Sequence, residues 1–353
     1  MVIAFEKISD ESKILNPMND FVPEVSTIEH RLDPLTKQSA FLATTVIEKG
    51  FRLGANADDR FLNEIIEKSK TNCFFCPENL ERATPKFPPE ILPEGRLYGT
   101  EACLFPNLLA ISKFTSVVTL TKRHYLRLDE YDPEILSDAF ILALQFIKRV
   151  HKIDPSAKYV SIGCNCLYPA GSSIVHPHIH AFINSSPFDN YAELLLNCSK
   201  QYFTENSTNY WTDLVEAEKK EGQRYIGNIG STDWLTSFAP SASREIQAIV
   251  RGKSSFIEFT EDNMRDLAQG ISKVLNYYHN QKVNSFNFII HSSPMGESTD
   301  YFSSNLRIVS RTYFPPYNVN DTNWRQLLMN RCEVYTDDPE TIANVLQKAF
   351  LHK

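Results

Sequence analysis

The run Gly171-Ser-Ser-Ile-Val-His-Pro-His-Ile-His180 constrains this chain more than any other stretch. His176, His178 and His180 alternate with Pro177 and Ile179, and Ala181-Phe-Ile183 continues the pattern. A period of two belongs to extended backbone. It puts three imidazoles on one face of a strand and the apolar residues on the other. Such a row can bind a metal, or it can offer one neutral imidazole as a nucleophile whose neighbours hold its tautomer. Imidazoles are costly to bury unpaired, so a purely structural triplet is the weaker reading.

Around that row stretch 353 residues, enough for one large domain or two medium ones with their own cores. Hydrophobic residues make up 42% and charged residues 22%, the balance of a globular chain. A formal net charge of -7 argues against a nucleic-acid backbone or an anionic membrane as partner, while leaving room for a small anionic substrate in a local positive pocket. Twelve glycines are few for Gly-rich phosphate loops, and no Walker pattern is present. Glu6 and Lys7 interrupt the apolar start, so no signal peptide is expected, and no apolar run is long enough for a membrane span. The seven cysteines are odd in number and include the close pairs Cys73/Cys76 and Cys164/Cys166. Without an export signal they read as reduced thiols or metal ligands in a cytoplasmic protein.

In chain order, residues 1–28 read as a polar N-terminal arm, followed by a turn at Asp33-Pro34 and the apolar Ala40-Phe-Leu-Ala43. The Pro-rich stretch from Asn72 to Pro93 reads as irregular. Leu97–Ile111 and Ser116–Leu120 read as strands of a hairpin or meander. Asp132-Pro133 opens a helix with Leu136, Phe140, Leu144, Ile147 and Val150 at helical spacing. Tyr159–Cys164 is a strand, and residues 188–222 read as helix. Short strands are expected at 224–229, 234–238 and 246–250, then a helix capped by Thr260, the strands Phe286–His291 and Asn305–Phe314, and a last helix from Pro339.

This order repeats. Each half holds a helix of about five turns, a strand, a loop and a second strand. In the first half that second strand carries the histidine row; in the second it carries Ser303, Asn305, Arg307 and Arg311. The expected fold class is α+β, two half-domains pooling strands into one mainly antiparallel sheet with helices packed against it. The expected division is an arm (1–28), a first half (29–200) and a degenerate second half (201–353).

Cys73-x-x-Cys76 is half of a metal site; tetrahedral closure needs two more ligands, for which His124 and one member of the histidine row are the candidates. The rival, a thioredoxin-type redox pair, lacks a preceding apolar strand.

Taken together, Cys73-Phe-Phe-Cys76-Pro77, Lys122-Arg123-His124, Asn165, Gly171, Ser173 and His176-Pro-His178 resemble the galactose-1-phosphate uridylyltransferase family of the histidine-triad superfamily. Arg31-Leu-Asp-Pro-Leu-Thr36, Phe105-Pro-Asn107, Asn287-Phe-Ile-Ile-His291 and Tyr313-Phe-Pro-Pro316 follow in matching order, so the resemblance runs from about residue 29 onward. It implies a nucleotidyltransferase or phosphorylase in which His178 attacks an α-phosphorus and holds the nucleotidyl group as a phosphoramidate. His180 and Ser173 would assist, and Arg31, Asn107, Asn165, Gly171, Ser172, Ser173 and His180 would contact nucleotide. Cys73, Cys76, His124 and His176 would hold one structural Zn(II). The implied partners are a nucleoside diphosphate sugar or another nucleotide and a sugar phosphate or phosphate acceptor; members of the family are often homodimers.

Two departures stand out. The family's transferases usually have Gln where this chain has His180, and a third histidine is typical of its hydrolases. Of the family's second metal site only His291 is matched, so that site is expected to be empty. Alternatives from the residues themselves are a hydrolase releasing a nucleoside monophosphate, a metallohydrolase built on all three histidines, and a non-catalytic nucleotide- or zinc-binding protein. Cys164, Cys166, Trp211 and Trp234 read as packing, and Arg307 and Arg311 as phosphate-facing or solvated in equal measure.

Overall fold

A computed structural model describes residues 3–42, 59–297, 299–311, 332–334 and 337–351; Tyr313-Phe-Pro-Pro316 lies outside them. Strands β1 (Glu6–Asn16) and β2 (Val22–Leu32) form a long antiparallel ribbon, with Glu6 opposite Leu32 and Asn16 opposite Val22. Position 28 therefore lies inside a strand. Strand β3 (Ser39–Leu42) pairs with the base of β2 and is joined in parallel by β14 (Cys332–Val334).

Helix α1 (Asp59–Lys70) precedes the cysteine pair, and α2 (Pro77–Ala83) starts directly after it, with Pro77 in the first turn. That short helix sits in a stretch expected to be irregular; proline suits a first turn because its missing N–H would be unpaired there anyway. Then come β4 (Leu97–Tyr98), β5 (Cys103–Pro106), β6 (Phe114–Thr119), α3 (Pro133–Ile153), β7 (Tyr159–Cys166) and β8 (His178–Asn184). The expected helix over 188–222 is two, α4 (Asn190–Asn206) and α5 (Tyr210–Glu221). Ser207 adopts a left-handed conformation (φ 60°), and the Asn209 side chain caps the second helix. The second half continues with β9 (Tyr225–Ile229), β10 (Thr232–Thr236), β11 (Ile246–Val250), α6 (Glu261–Asn280), β12 (Phe286–His291), β13 (Asn305–Ser310) and α7 (Pro339–Leu351).

Strands β4 to β13 form one wholly antiparallel sheet in the order β4-β5-β6-β8-β7-β12-β13-β11-β10-β9. The order is a mirror. Five strands, 4-5-6-8-7, are matched by five more, 9-10-11-13-12, and the halves meet where β7 pairs with β12. Each half places its long helix between its third and fourth strand, α3 in one and α6 in the other. The expected α+β sheet of two pooled halves is what the chain forms.

One face of the sheet buries the core. Leu136, Phe140 and Ile147 of α3 and Leu267, Ile271 and Val274 of α6 meet Ile179, Ala181 and Ile183 of β8 and Leu306 and Ile308 of β13. Each such side chain contributes roughly 1.5–3 kcal/mol when taken from water. Cys164, Cys166 and Trp234 belong to this core, while Trp211 packs with Leu214 and Leu235 on the opposite face. All four are packing residues. Among the described residues no helix is long and apolar enough to cross a membrane.

Candidate active site and metal centre

The face that α3 and α6 leave uncovered carries the histidine row. Alternation along β8 sends Ile179, Ala181 and Ile183 into the core and leaves His178, His180 and Phe182 on the other side. The turn into β8 is tightly specified. Leu167 leaves β7 with φ 66° and ψ 171°, a region nearly reserved for glycine, and Gly171 follows at φ 86°. Leu167 is nonetheless buried, and its carbonyl accepts from the N–H of Ala170 and of Ser172, so the surroundings enforce the conformation. The Ser172 hydroxyl closes the loop by donating to the Ile174 carbonyl at 2.7 Å, while Ser173 is exposed.

Immediately before β8, His176 turns toward the cysteine loop. Cys73, Cys76, His124 and His176 are all buried and bring their ligand atoms within 4.8 Å of one another. His176 Nδ1 lies 3.7 Å from both sulfurs, and His124 Nδ1 lies 3.4 Å from Cys76 Sγ. A four-coordinate ion at ordinary thiolate and imidazole bond lengths sets such atoms about 3.6 Å apart. The outer nitrogens are held as well. His176 Nε2 donates to the Thr121 carbonyl at 2.8 Å, and His124 Nε2 pairs with Ser69 Oγ at 2.9 Å, so both rings turn Nδ1 inward. Burial and the neighbouring Cys73 push the Cys76 thiol up to about 12. The donor set fits a metal.

His178 stands next to this cluster but outside it. Its Nδ1–H donates to the backbone carbonyl of His176 at 2.8 Å, which leaves Nε2 with the lone pair. Phe75, from the cysteine loop, packs edge-on against the ring at 5.3 Å, and His180 lies 4.9 Å away. The ring is 6% exposed, and burial moves its pKa below the ordinary value, so it is neutral at pH 7. His180 is brought down to about 3 by burial and by His178; it stacks on Phe182, and its Nδ1 has no partner. Among the described residues the group that could hold a metal includes His176 but neither His178 nor His180.

The other expected contacts divide. Asn165 lies on β7 at the join of the two halves, exposed, directly opposite Asn287 of β12. Its neighbour Cys164 touches the His178 carbonyl at 3.4 Å, which places Asn165 beside the histidine row. Asn107 directly follows β5 and caps its own loop, with Oδ1 accepting from Leu109 N–H. Arg31, expected to contact nucleotide, lies on β2. It is buried on β2, donating to Glu29, to the Phe238 carbonyl and with both terminal nitrogens to Glu340. A guanidinium so engaged anchors the ribbon to α7. Arg307 is likewise structural: its Nη1 donates to Glu245 at 2.7 Å and it stacks over Tyr191. A cavity lined by Asp33, Glu218, Gln247 and Arg307 has none of the three histidines in its wall. His291 faces Asp189 at 3.1 Å, and among the described residues these two belong to no metal-ligand cluster.

Two residues missed as site residues reach across the join. Asn287 Nδ2 donates to Asn165 Oδ1 at 2.6 Å, and Arg311 Nη1 donates to Asn287 Oδ1 at 2.8 Å. Both were visible as polar residues on strands; only the β7–β12 register shows what they touch.

No family model matches the sequence. The chain is 36% identical over 297 residues to an uncharacterized protein of Archaeoglobus fulgidus, covering 83% of this chain and 84% of that one. Among solved structures it resembles an ADP-glucose phosphorylase from Arabidopsis thaliana with bound ADP-glucose (TM-score 0.69, 19% identity, 91% of this chain and 99% of that one). A uridylyltransferase also matches, with a TM-score of 0.62, 17% identity, and 72% of this chain against 86% of that one. The chain therefore belongs to the family of the Archaeoglobus protein, and its fold is that of the ADP-glucose phosphorylase, a GalT-like protein and the uridylyltransferase.

Proposed function

We propose that this chain is a nucleotidyltransferase or phosphorylase working through a nucleotidyl-His178 intermediate. The observation that carries the reading is the 2.8 Å bond from His178 Nδ1–H to the His176 carbonyl. It leaves Nε2 as a neutral nucleophile that needs no prior deprotonation. In the forward half-reaction Nε2 attacks the α-phosphorus, the bond from phosphorus to the bridging oxygen breaks, and the electron pair leaves with the sugar phosphate. An acceptor phosphate or sugar phosphate then attacks the same phosphorus and regenerates the imidazole, giving ping-pong kinetics. Asn107, Asn165, Gly171, Ser172, Ser173 and His180 would line the nucleotide, with Ser173 and His180 nearest the phosphoryl oxygens.

The buried Cys2His2 set suits zinc, which favours tetrahedral thiolate–imidazole coordination and has no redox chemistry of its own. Cys73, Cys76, His124 and His176 would hold it. Filling all four positions with protein makes it a clamp between the cysteine loop and the strand of the nucleophile. The reduced thiols fit a cytoplasmic protein, with residues 29–200 as catalytic half and 201–353 as degenerate half, in a chain that pairs with a second copy.

The test is a quench of enzyme mixed with ADP-glucose, or its uridine counterpart, labelled at the α-phosphorus. Label on the protein that is acid-labile and absent in His178→Ala supports the reading; turnover with no trapped label in any nucleotide sugar overturns it. Hydrolysis is the second reading, favoured by the partnerless His180 Nδ1 close to His178. It predicts that trapped label decays to nucleoside monophosphate without any acceptor.

A further inference from the structure

An asparagine beside a phosphoryl group can present either its carbonyl oxygen or its NH2, and only the second attracts the group's oxygens. Which end Asn165 presents is decided from the other half of the sheet. Arg311 is a donor only, and its Nη1 sits 2.8 Å from Asn287 Oδ1. That fixes the oxygen of Asn287 on the arginine side and turns Nδ2 toward β7. There it meets the backbone carbonyls of Ala170 at 2.9 Å and Cys164 at 3.3 Å, which can only accept. Both ends of Asn287 are thus assigned by partners that cannot exchange roles. The atom of Asn165 that faces Asn287 at 2.6 Å must be an acceptor, its Oδ1. Both N–H bonds of Asn165 are then left on the exposed side of β7, on the sheet face shared with His178.

We propose that Asn287, pinned by Arg311, is a positioning residue that sets the Asn165 amide to donate to a non-bridging oxygen of the transferred phosphoryl group. This rests on the nucleotidyl-His178 reading and assigns a role in it to the degenerate half. Asn287 touches no reacting atom; it acts through Asn165. Preset donors of this kind cost nothing to reorient as charge develops, and losing one typically costs about a hundredfold in rate.

The experiment measures labelling of His178 by α-labelled ADP-glucose in wild type, Asn287→Asp, Asn165→Ala and the double variant. Aspartate keeps the arginine but has no N–H for Asn165 Oδ1, so the amide turns over and sets its oxygen toward the phosphate. The expected result is a fall of about a hundredfold in the labelling rate, a KM changed by less than about threefold, and no further loss in the double variant. Rates that multiply in the double variant, or an Asn287→Asp protein that labels like wild type, overturn the assignment. Should Asn287→Asp not fold, Asn287→Ser, whose hydroxyl can still donate, is expected to keep the rate within about tenfold while Asn287→Ala loses it; equal rates in these two also overturn it. A wild-type protein that takes no label from any nucleotide sugar defeats the nucleotidyl-histidine reading instead and removes this inference with it.

Discussion

Asn305 repeats the bond that defines His178: its Nδ2 donates to the Ser303 carbonyl at 3.2 Å, as the His178 ring donates to the His176 carbonyl at 2.8 Å. Each begins the fourth-placed strand of its half, β8 or β13, and each is almost wholly buried. The second half keeps this back-bond to the residue two positions earlier and has an amide where the first half has the His178 imidazole.

That equivalence makes His178→Asn a cleaner variant than truncation. Asparagine can restore the back-bond, as Asn305 shows, yet it offers no nucleophilic nitrogen. The variant is expected to lose about 2 kcal/mol of stability or less and all covalent labelling. Urea unfolding followed by quench-labelling checks both. Residual transfer within tenfold of wild type would place the nucleophile elsewhere.

Ser69 touches the candidate metal site from outside the Cys2His2 set. Its hydroxyl lies 2.9 Å from His124 Nε2 and is not itself a ligand. Ser69→Ala should keep metal stoichiometry and weaken metal affinity about 10–100-fold, the usual cost of losing an outer partner of a ligating histidine. Cys73→Ser should lose the metal outright and lower the melting temperature. Competition against a chromophoric chelator separates the two outcomes.

Gly270 sets a packing limit. A Cβ there would lie 2.0 Å from Trp234 Cζ2, where α6 crosses β10. Trp234 cannot yield, being fully buried with Nε1 donating to Thr232 Oγ1 at 2.9 Å. Alanine ordinarily favours a helix interior over glycine by about 1 kcal/mol. Overpacking of a rigid neighbour costs about 1–3 kcal/mol and wins. Gly270→Ala should therefore lower the urea midpoint; a raised midpoint would mean that α6 can move away from the sheet.

Much of this was legible in the sequence because it is local. The period of two at His176–His180, the Pro133 and Thr260 helix starts, and the Cys-x-x-Cys spacing each follow from neighbours a few residues apart. What was not legible depends on register or on long separations. Nothing near Arg31 in the sequence points to Glu340, 309 positions away, which takes two of its nitrogens. Asn287 and Asn165 become partners only through the β7–β12 pairing, which no turn length fixes. The break at Ser207 was hidden because a serine, rather than glycine or proline, adopts the left-handed turn there.

The pair Asp189–His291 gives the fold an acid-side limit. Burial alone would raise the Asp189 carboxyl, but the His291 ring, the Ala192 N–H and the Ser161 hydroxyl together bring it down to about 2. An unfolded aspartate titrates near 3.9. The folded state therefore holds the charge more strongly, and its contribution is fully present above about pH 4 and lost as pH falls through about 2. The depression amounts to about 2.6 kcal/mol at most. His291→Gln keeps a donor toward Asp189 but removes the ionisable ring, so the carboxyl should rise toward its ordinary range. Stability curves of the two proteins should be furthest apart near neutral pH and converge between about pH 4 and 2. A separation that stays constant through that window would show that the helix-capping N–H groups of α4, rather than His291, hold the charge on Asp189.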